Sequence, residues 1–247
     1  LDHTWERMEV DAGRLYTANV SQLTATYQVN RRITARAILQ NLQQTARLGD
    51  LQSVRLEVCQ RNAPAIHLYK ALGFRWERDL LVLTRVPDAS HPRPSRAHPV
   101  HPIPAHVALE RFPAFHDARP PWQRDLPSLQ HRGSALTALG CDEGGLVGYL
   151  LYEVQASNCA ISDLAVDLAH PDRRAVAEAL LREMCSRHRL LDSYIINVPA
   201  DDPLLPVFFE LGFERWQQQH ELVWHPQLSA GHLTEGASND FLTTGRA

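Results

Sequence analysis

The chain has 247 residues, 44% of them apolar, with 25 basic and 28 acidic side chains for a net charge of −3. That apolar share can fill a sizeable core and excludes disorder of the whole chain, and the near balance of charge supplies no basic field for nucleic acid or an anionic membrane. No apolar run approaches the ~18 residues of a membrane span, no charged-then-apolar leader is visible, so no secretory signal is expected, and Cys59, Cys141, Cys159 and Cys185, which form no C-x-x-C pair, read as free thiols of a reducing cytoplasm with no metal.

In chain order, Arg14–Val20 is rich in strand formers and predicts a strand, and apolar positions at Ile33, Ala37, Ile38, Leu42 and Ala46 predict a helix. Ser53–Cys59 predicts a second strand. Asn62 then supplies an N-cap, with Pro64 tolerated in the first turn. Ala65, Ile66, Leu68, Tyr69 and Leu72 make one apolar helical face, and Gly73 stops the helix. Leu80–Val86 predicts the next strand.

Residues 87–106 carry six prolines in twenty positions, which predicts a linker or surface strap between the segments 1–86 and 107–225. Four histidines fall in that stretch (His91, His98, His101 and His106), and a solvated linker is the expectation there, with metal binding as the alternative. The second segment predicts strands at Gly145–Val154 and Ala160–Asp167, a helix at Arg173–Arg187 and a strand at Ser193–Val198. A helix at Pro203–Leu211, stopped by Gly212, and a strand at Gln219–Trp224 follow. Residues 226–247 turn polar and predict a frayed tail.

The segments repeat each other. Ala71-Leu72-Gly73-Phe74 matches Glu210-Leu211-Gly212-Phe213 at an offset of 139, and Leu56-Glu57-Val58 sits where Ile196-Asn197-Val198 sits. One duplicated α/β unit with a mixed sheet is the expected fold class.

The run Leu56–Phe74 resembles the C-terminal motif of the GCN5-related N-acetyltransferases: a strand, an Asn, Ala-Ile-x-Leu-Tyr, then Leu-Gly-Phe. Gly145–Val154, Ile161–Val166, the basic turn into Arg173–Arg187, and Phe208–Phe213 are similar to the same superfamily, and Pro120–Gln130 and Gln217–Trp224 look like the C-terminal domain of its tandem bacterial members. The resemblance implies two tandem acetyltransferase-like domains, the first N-terminally incomplete. A half-domain with an uncovered sheet edge predicts packing on the second domain or on another chain, as in a homodimer.

It also implies transfer of an acetyl group from acetyl-CoA to a primary amine of a small molecule or peptide. In this family a glycine-rich turn into a helix holds the pyrophosphate, where backbone N–H groups and the helix dipole favour an anion. The pantetheine arm adds along the preceding strand. Carried onto this chain, the cofactor residues are Leu164, Ala165, Val166, Arg173, Arg174, Ala175, Val176, Ala177 and Asn197. Tyr69 stands at the general-acid position, and Glu57 is the candidate base.

Both copies depart from the pattern. The first turn, Gln28–Thr34, has no glycine and places Arg32 and Thr34 at those positions. The second accepts Ala175 and Ala177 but carries Phe208 where the first has Tyr69. Three readings stay open: an N-acetyltransferase, a catalytically impaired acyl-CoA-binding or regulatory tandem, and a structural tandem. Asp163 could reach an acceptor amine, His220 faces the same question, and Trp122–Gln123 is expected to pack on a helix of the second domain.

Overall fold

The computed structural model describes residues 53–87, 95 and 97–226. The strand at Arg14–Val20, the helix at Ile33–Leu48, the turn at Gln28–Thr34 and the tail beyond Pro226 lie outside the described residues. Within them the chain runs β1 (Val54–Cys59), α1 (Ala63–Ala71), β2 (Arg75–Arg85), β3 (Val100–Ile103), α2 (Ala105–Phe115), a 3-10 turn (Trp122–Arg124) and α3 (Leu126–His131). It continues with β4 (Thr137–Asp142), β5 (Leu146–Val154), β6 (Asn158–Val166), α4 (Arg173–Arg187), β7 (Asp192–Pro199), α5 (Leu205–Glu210) and β8 (Glu214–Trp224).

All eight strands form one mixed sheet in the order β1-β8-β2-β7-β6-β5-β4-β3. The two segments do not close into separate sheets: β8 lies between β1 and β2, antiparallel to both, and β2 lies between β8 and β7. The first segment therefore has no free-standing sheet of its own among the described residues.

The repeated letters have a repeated local cause. At the end of α1 the Phe74 N–H donates to Tyr69 O at 3.0 Å and the Gly73 N–H to Lys70 O at 3.0 Å. At the end of α5, Phe213 N–H donates to Phe208 O at 3.0 Å and Gly212 N–H to Phe209 O at 3.1 Å. Both ends need a left-handed residue, and the glycines supply it with φ of 86° and 82°. The phenylalanine after each glycine is then turned into the core. At the start of α1, Asn62 Oδ1 accepts from the Ala65 N–H at 3.2 Å, the expected cap.

Part of the stretch expected as linker belongs to the sheet. Val100–Ile103 pairs with β4 as the outermost strand. Proline in Pro102 is compatible with this because an edge strand has one unpaired side.

Packing uses both faces. On one, α4 and α5 cover Leu150, Leu164, Val166 and Ile195. A Cβ on Gly148 would meet Val176 Cγ1 at 2.6 Å, so α4 sits directly on β5. On the other, α2 and α3 cover Tyr149, Leu151 and Ala165. A smaller cluster of Val58, Phe74, Leu222 and Trp224 carries α1.

Candidate functional site

β6 and β7 are the parallel neighbours in the sheet, and they pair only from Asn158↔Asp192 to Ile161↔Ile195. Beyond Ile161 the β6 residues stay bonded to β5, through Leu164↔Leu150 and Val166↔Gly148, so their other backbone edge faces a gap. The parting coincides with a β-bulge in β7. Ile196 and Asn197 together oppose Val82 of β2, between the pairs Leu81↔Val198 and Leu83↔Ile195. Asn197 takes φ 58°, which Asn tolerates better than most residues. A bulge bends its strand, and this one falls directly after Ile195, where the pairing with β6 ends. Asn197 is buried, and its Oδ1 accepts from Gln219 Nε2 at 3.1 Å.

Leu164, Ala165 and Val166 line this gap through their backbone while their side chains are buried. The chain then enters α4. Asp172 caps it, with Oδ1 accepting from the Ala175 N–H at 3.1 Å. Val176 and Ala177 are fully buried against the sheet. Arg174 is exposed and ion-paired with Glu210 of α5, and the Arg173 Nε is buried with no hydrogen-bond partner. A carboxylate thus already occupies the helix start that the resemblance assigns to pyrophosphate.

The 3-10 turn ties the two segments together. Gln123 Nε2 donates to Glu57 Oε2 on β1 at 2.9 Å, and the next residue, Arg124, donates from Nη2 to Asp163 Oδ1 on β6 at 3.0 Å. The expected contact of Trp122–Gln123 with a second-domain helix is made to α3, where Ser128 Oγ donates to the Trp122 carbonyl at 2.6 Å, alongside the Gln123 bond to β1. Burial raises the Glu57 carboxyl above its ordinary range; Gln123 and Trp122 offset this only in part, and nearby Glu221 adds repulsion that Arg78 opposes. Glu57 Oε1 and Gln123 Oε1 are buried without partners. Glu57 and Glu221 are directly opposed in the β1–β8 ladder, and Arg78 and Arg55 pair with Glu221.

Asp163 is 0% exposed and collects three partners. Besides Arg124, the Tyr149 hydroxyl donates to Oδ2 at 2.8 Å and His116 Nε2 lies 3.4 Å from the same oxygen. Burial works against the Asp163 charge, but His116, Arg124 and Tyr149 outweigh it and hold the carboxyl below the usual range. Burial likewise opposes charge on His116, yet Asp163 wins and raises it. His220, the other open position, bonds Asp79 through Nδ1 at 2.6 Å.

The structure does not bring Tyr69 and Glu57 together. Tyr69 packs in the α1 cluster, its ring centroid 6.1 Å from that of Phe74. That cluster takes Val58, and side chains alternate faces along a strand, so Glu57 points to the opposite side with the 3-10 turn. Burial raises the Tyr69 hydroxyl above its ordinary value. Arg124, His116 and Tyr149 escape sequence reasoning because they come from three elements and share no spacing.

No protein-family model matches this chain, and no curated protein matches it. Solved structures do. A GCN5-related N-acetyltransferase from Sphaerobacter thermophilus superposes with a TM-score of 0.60 at 15% identity, over 80% of this chain and 69% of that one. A GCN5-related N-acetyltransferase from Kribbella flavida gives 0.55 at 12%, over 78% and 76%. A tandem GNAT protein from the clavulanic acid biosynthesis pathway gives 0.56 at 16%, over 85% and 72%. Parallel strands that part beside a helix start, in a mixed sheet that superposes on these three structures, give this chain the fold of the GCN5-related N-acetyltransferase superfamily.

Proposed function

We propose that the chain is an N-acetyltransferase that moves an acetyl group from acetyl-CoA to a primary amine of a small molecule or peptide. The observation that carries this reading is the parting of β6 from β7 after Ile161 and Ile195. The free backbone edge of Ser162–Val166 can bond the amides of the pantetheine arm as an added strand would. Arg173 and Arg174 stand at the α4 start, where the backbone N–H groups of the first turn and the helix dipole favour phosphate. The two segments act as a tandem pair whose single working site uses the second segment's gap. The proposed setting is the cytoplasm, where the four thiols, all free here, stay reduced. No described helix is long and apolar enough to cross a membrane.

Glu57 is the proposed general base. β8 and β2 separate β1 from β7, so the raised Glu57 carboxyl, with one oxygen unpartnered, would receive the amine proton through water along the turn that joins Glu57 to Asp163 of β6. The amine nitrogen then attacks the thioester carbonyl carbon, the C–S bond breaks, and the CoA thiolate takes its proton from water. Phe208 has no proton to give at that point, and Tyr69 lies on the far side of β1.

A second reading, an acyl-CoA-binding tandem without turnover, draws on Asp172. Its carboxylate sits on the Ala175 N–H where an anion would bind. Calorimetry with acetyl-CoA, paired with amine-dependent release of CoA thiol, tests both. Binding at one site per chain with turnover supports the transferase, and binding without turnover supports the second reading. Replacing Arg173 and Arg174 together by alanine should weaken binding at least about tenfold, since ~1.4 kcal/mol is one decade and each charge-assisted phosphate contact is worth roughly that or more. No binding by the intact chain overturns both.

A further inference from the structure

Four side chains from three separate stretches converge beside the first turn of α4. His98 precedes β3, Cys141 lies in β4, Glu143 follows β4, and His170 sits in the β6–α4 loop. Donor atoms of His98, Cys141 and Glu143 all lie within 4.8 Å of one another. His98 Nδ1 is 2.6 Å from Glu143 Oε1, and His170 Nε2 is 3.2 Å from Glu143 Oε2. The two imidazole rings meet edge to face, with centroids 6.4 Å apart.

We propose that His98, Cys141 and Glu143 bind one zinc ion, with His170 as the residue that orients the glutamate. The sequence points at most to the histidines around His98, because Cys141 and Glu143 lie more than forty residues away and the set matches no ligand spacing. The donor set is an imidazole nitrogen, a thiolate sulfur and a carboxylate oxygen, all of which Zn²⁺ accepts in tetrahedral geometry. Bonds of ~2.0–2.3 Å at tetrahedral angles place donors roughly 3.3–3.7 Å apart. The cluster reaches that spacing by small side-chain rotations that separate His98 from Glu143.

His170 has a different part. Its Nδ1 accepts from the Asp172 backbone N–H at 3.1 Å, which puts the ring proton on Nε2. That proton is donated to Glu143 Oε2, leaving Oε1 for the metal, the arrangement by which an outer imidazole fixes a ligating carboxylate. Three protein ligands leave a fourth position for water. A cavity of about 490 Å³ lined by Ala97, His98, Asp172 and Glu178 gives access from the His98 side. Binding displaces the proton shared by His98 and Glu143 and the Cys141 thiol proton to solvent. The ion joins the segment before β3 to the β4–β5 hairpin.

The test uses the full chain, stripped by chelator and dialysed into buffered zinc. One zinc per chain is expected, with a rise in Tm. Cobalt substitution should give a thiolate-to-cobalt charge-transfer band in the near ultraviolet. His98→Ala and Cys141→Ser should each weaken zinc binding by at least about a hundredfold, and His170→Ala by about tenfold. Cys59→Ser should change nothing. Because Cys141 is buried, His98→Ala carries the argument if Cys141→Ser fails to fold. Less than stoichiometric zinc, a missing thiolate band, or unchanged affinity in His98→Ala overturns the proposal.

Discussion

Leu80 of β2 lies directly opposite Gln219 of β8, and the offset of 139 that aligns Gly73-Phe74 with Gly212-Phe213 converts one of these partners into the other. The neighbouring pairs Asp79↔His220 and Leu81↔Gln218 exchange under the same operation. The β1-β8-β2-β7 half of the sheet thus has an internal two-fold relation through that pair, and each copy lends its last strand to the other.

Cutting the connection should therefore not release two molecules. With a protease site placed within residues 88–94 and cleaved, the two pieces should co-elute on gel filtration under native conditions. They should separate only in denaturant. Separate elution in native buffer would show that β2 is not held between β7 and β8.

Gly73→Ala and Gly212→Ala should cost similar amounts, about 1–2 kcal/mol each, because both helix ends use the same left-handed residue. Urea denaturation measures this. A Gly212→Ala chain as stable as the parent would contradict the geometry of that helix end.

The Asp163 carboxylate is fully buried and held by three partners, Arg124, Tyr149 and His116. Asp163→Asn leaves His116 and Arg124 facing a neutral group inside the core, and a loss of about 3–5 kcal/mol is expected. The pH dependence has two limbs. The carboxyl is lowered, so its contribution is present above the unfolded-state value of a carboxylate and is lost as pH falls through the lower folded value. His116 is raised, so its contribution is present below the ordinary histidine range and is lost as pH rises through the higher folded value. Thermal scans from acid to mildly alkaline pH should lose both limbs in Asp163→Asn. A profile identical to the parent's would remove the ion pair from the account.

The elements that read correctly from sequence are those whose cause is local. Asn62 to Phe74 carries its cap, its apolar face and its stop within thirteen residues, and Arg173–Arg187 appears at the expected bounds. The missed elements depend on distant partners. Nothing in Val100-His101-Pro102-Ile103 announces a strand until β4 lies beside it. The placement of β8 between β1 and β2 is likewise invisible in either copy alone. The Glu57 environment is made by a turn 66 residues away, so its residue type was legible but its raised carboxyl was not.

Glu57→Gln should lower kcat by about 10²–10⁴-fold with little change in KM for acetyl-CoA. In the parent, the acid limb of kcat/KM should fall above the ordinary glutamate value of 4.5, because that carboxyl is raised. A steady-state series across pH settles it, and an unchanged kcat in the variant would remove Glu57 from the chemistry.

Asp172→Ser retains a side-chain cap for α4 while removing the negative charge at its start. Acetyl-CoA should then bind about 2–5-fold more tightly, the equivalent of ~0.3–1 kcal/mol of helix-end electrostatics. Calorimetry on both proteins at low salt gives the comparison. Weaker binding by the variant would mean that Asp172 supports the site rather than obstructing it.

The interleaving of β8 between β1 and β2 also governs when the protein can fold during synthesis. Leu80 leaves the ribosome 139 residues before its partner Gln219. At ~5–20 residues per second the first segment waits roughly 7–28 s with one edge of β2 uncovered. Pairings this remote in sequence are slow to form and leave strand edges exposed meanwhile. A chain truncated before β8 would remain in that state, so nascent chains stopped short of residue 214 should be captured by chaperones or aggregate, whereas completed chains should not.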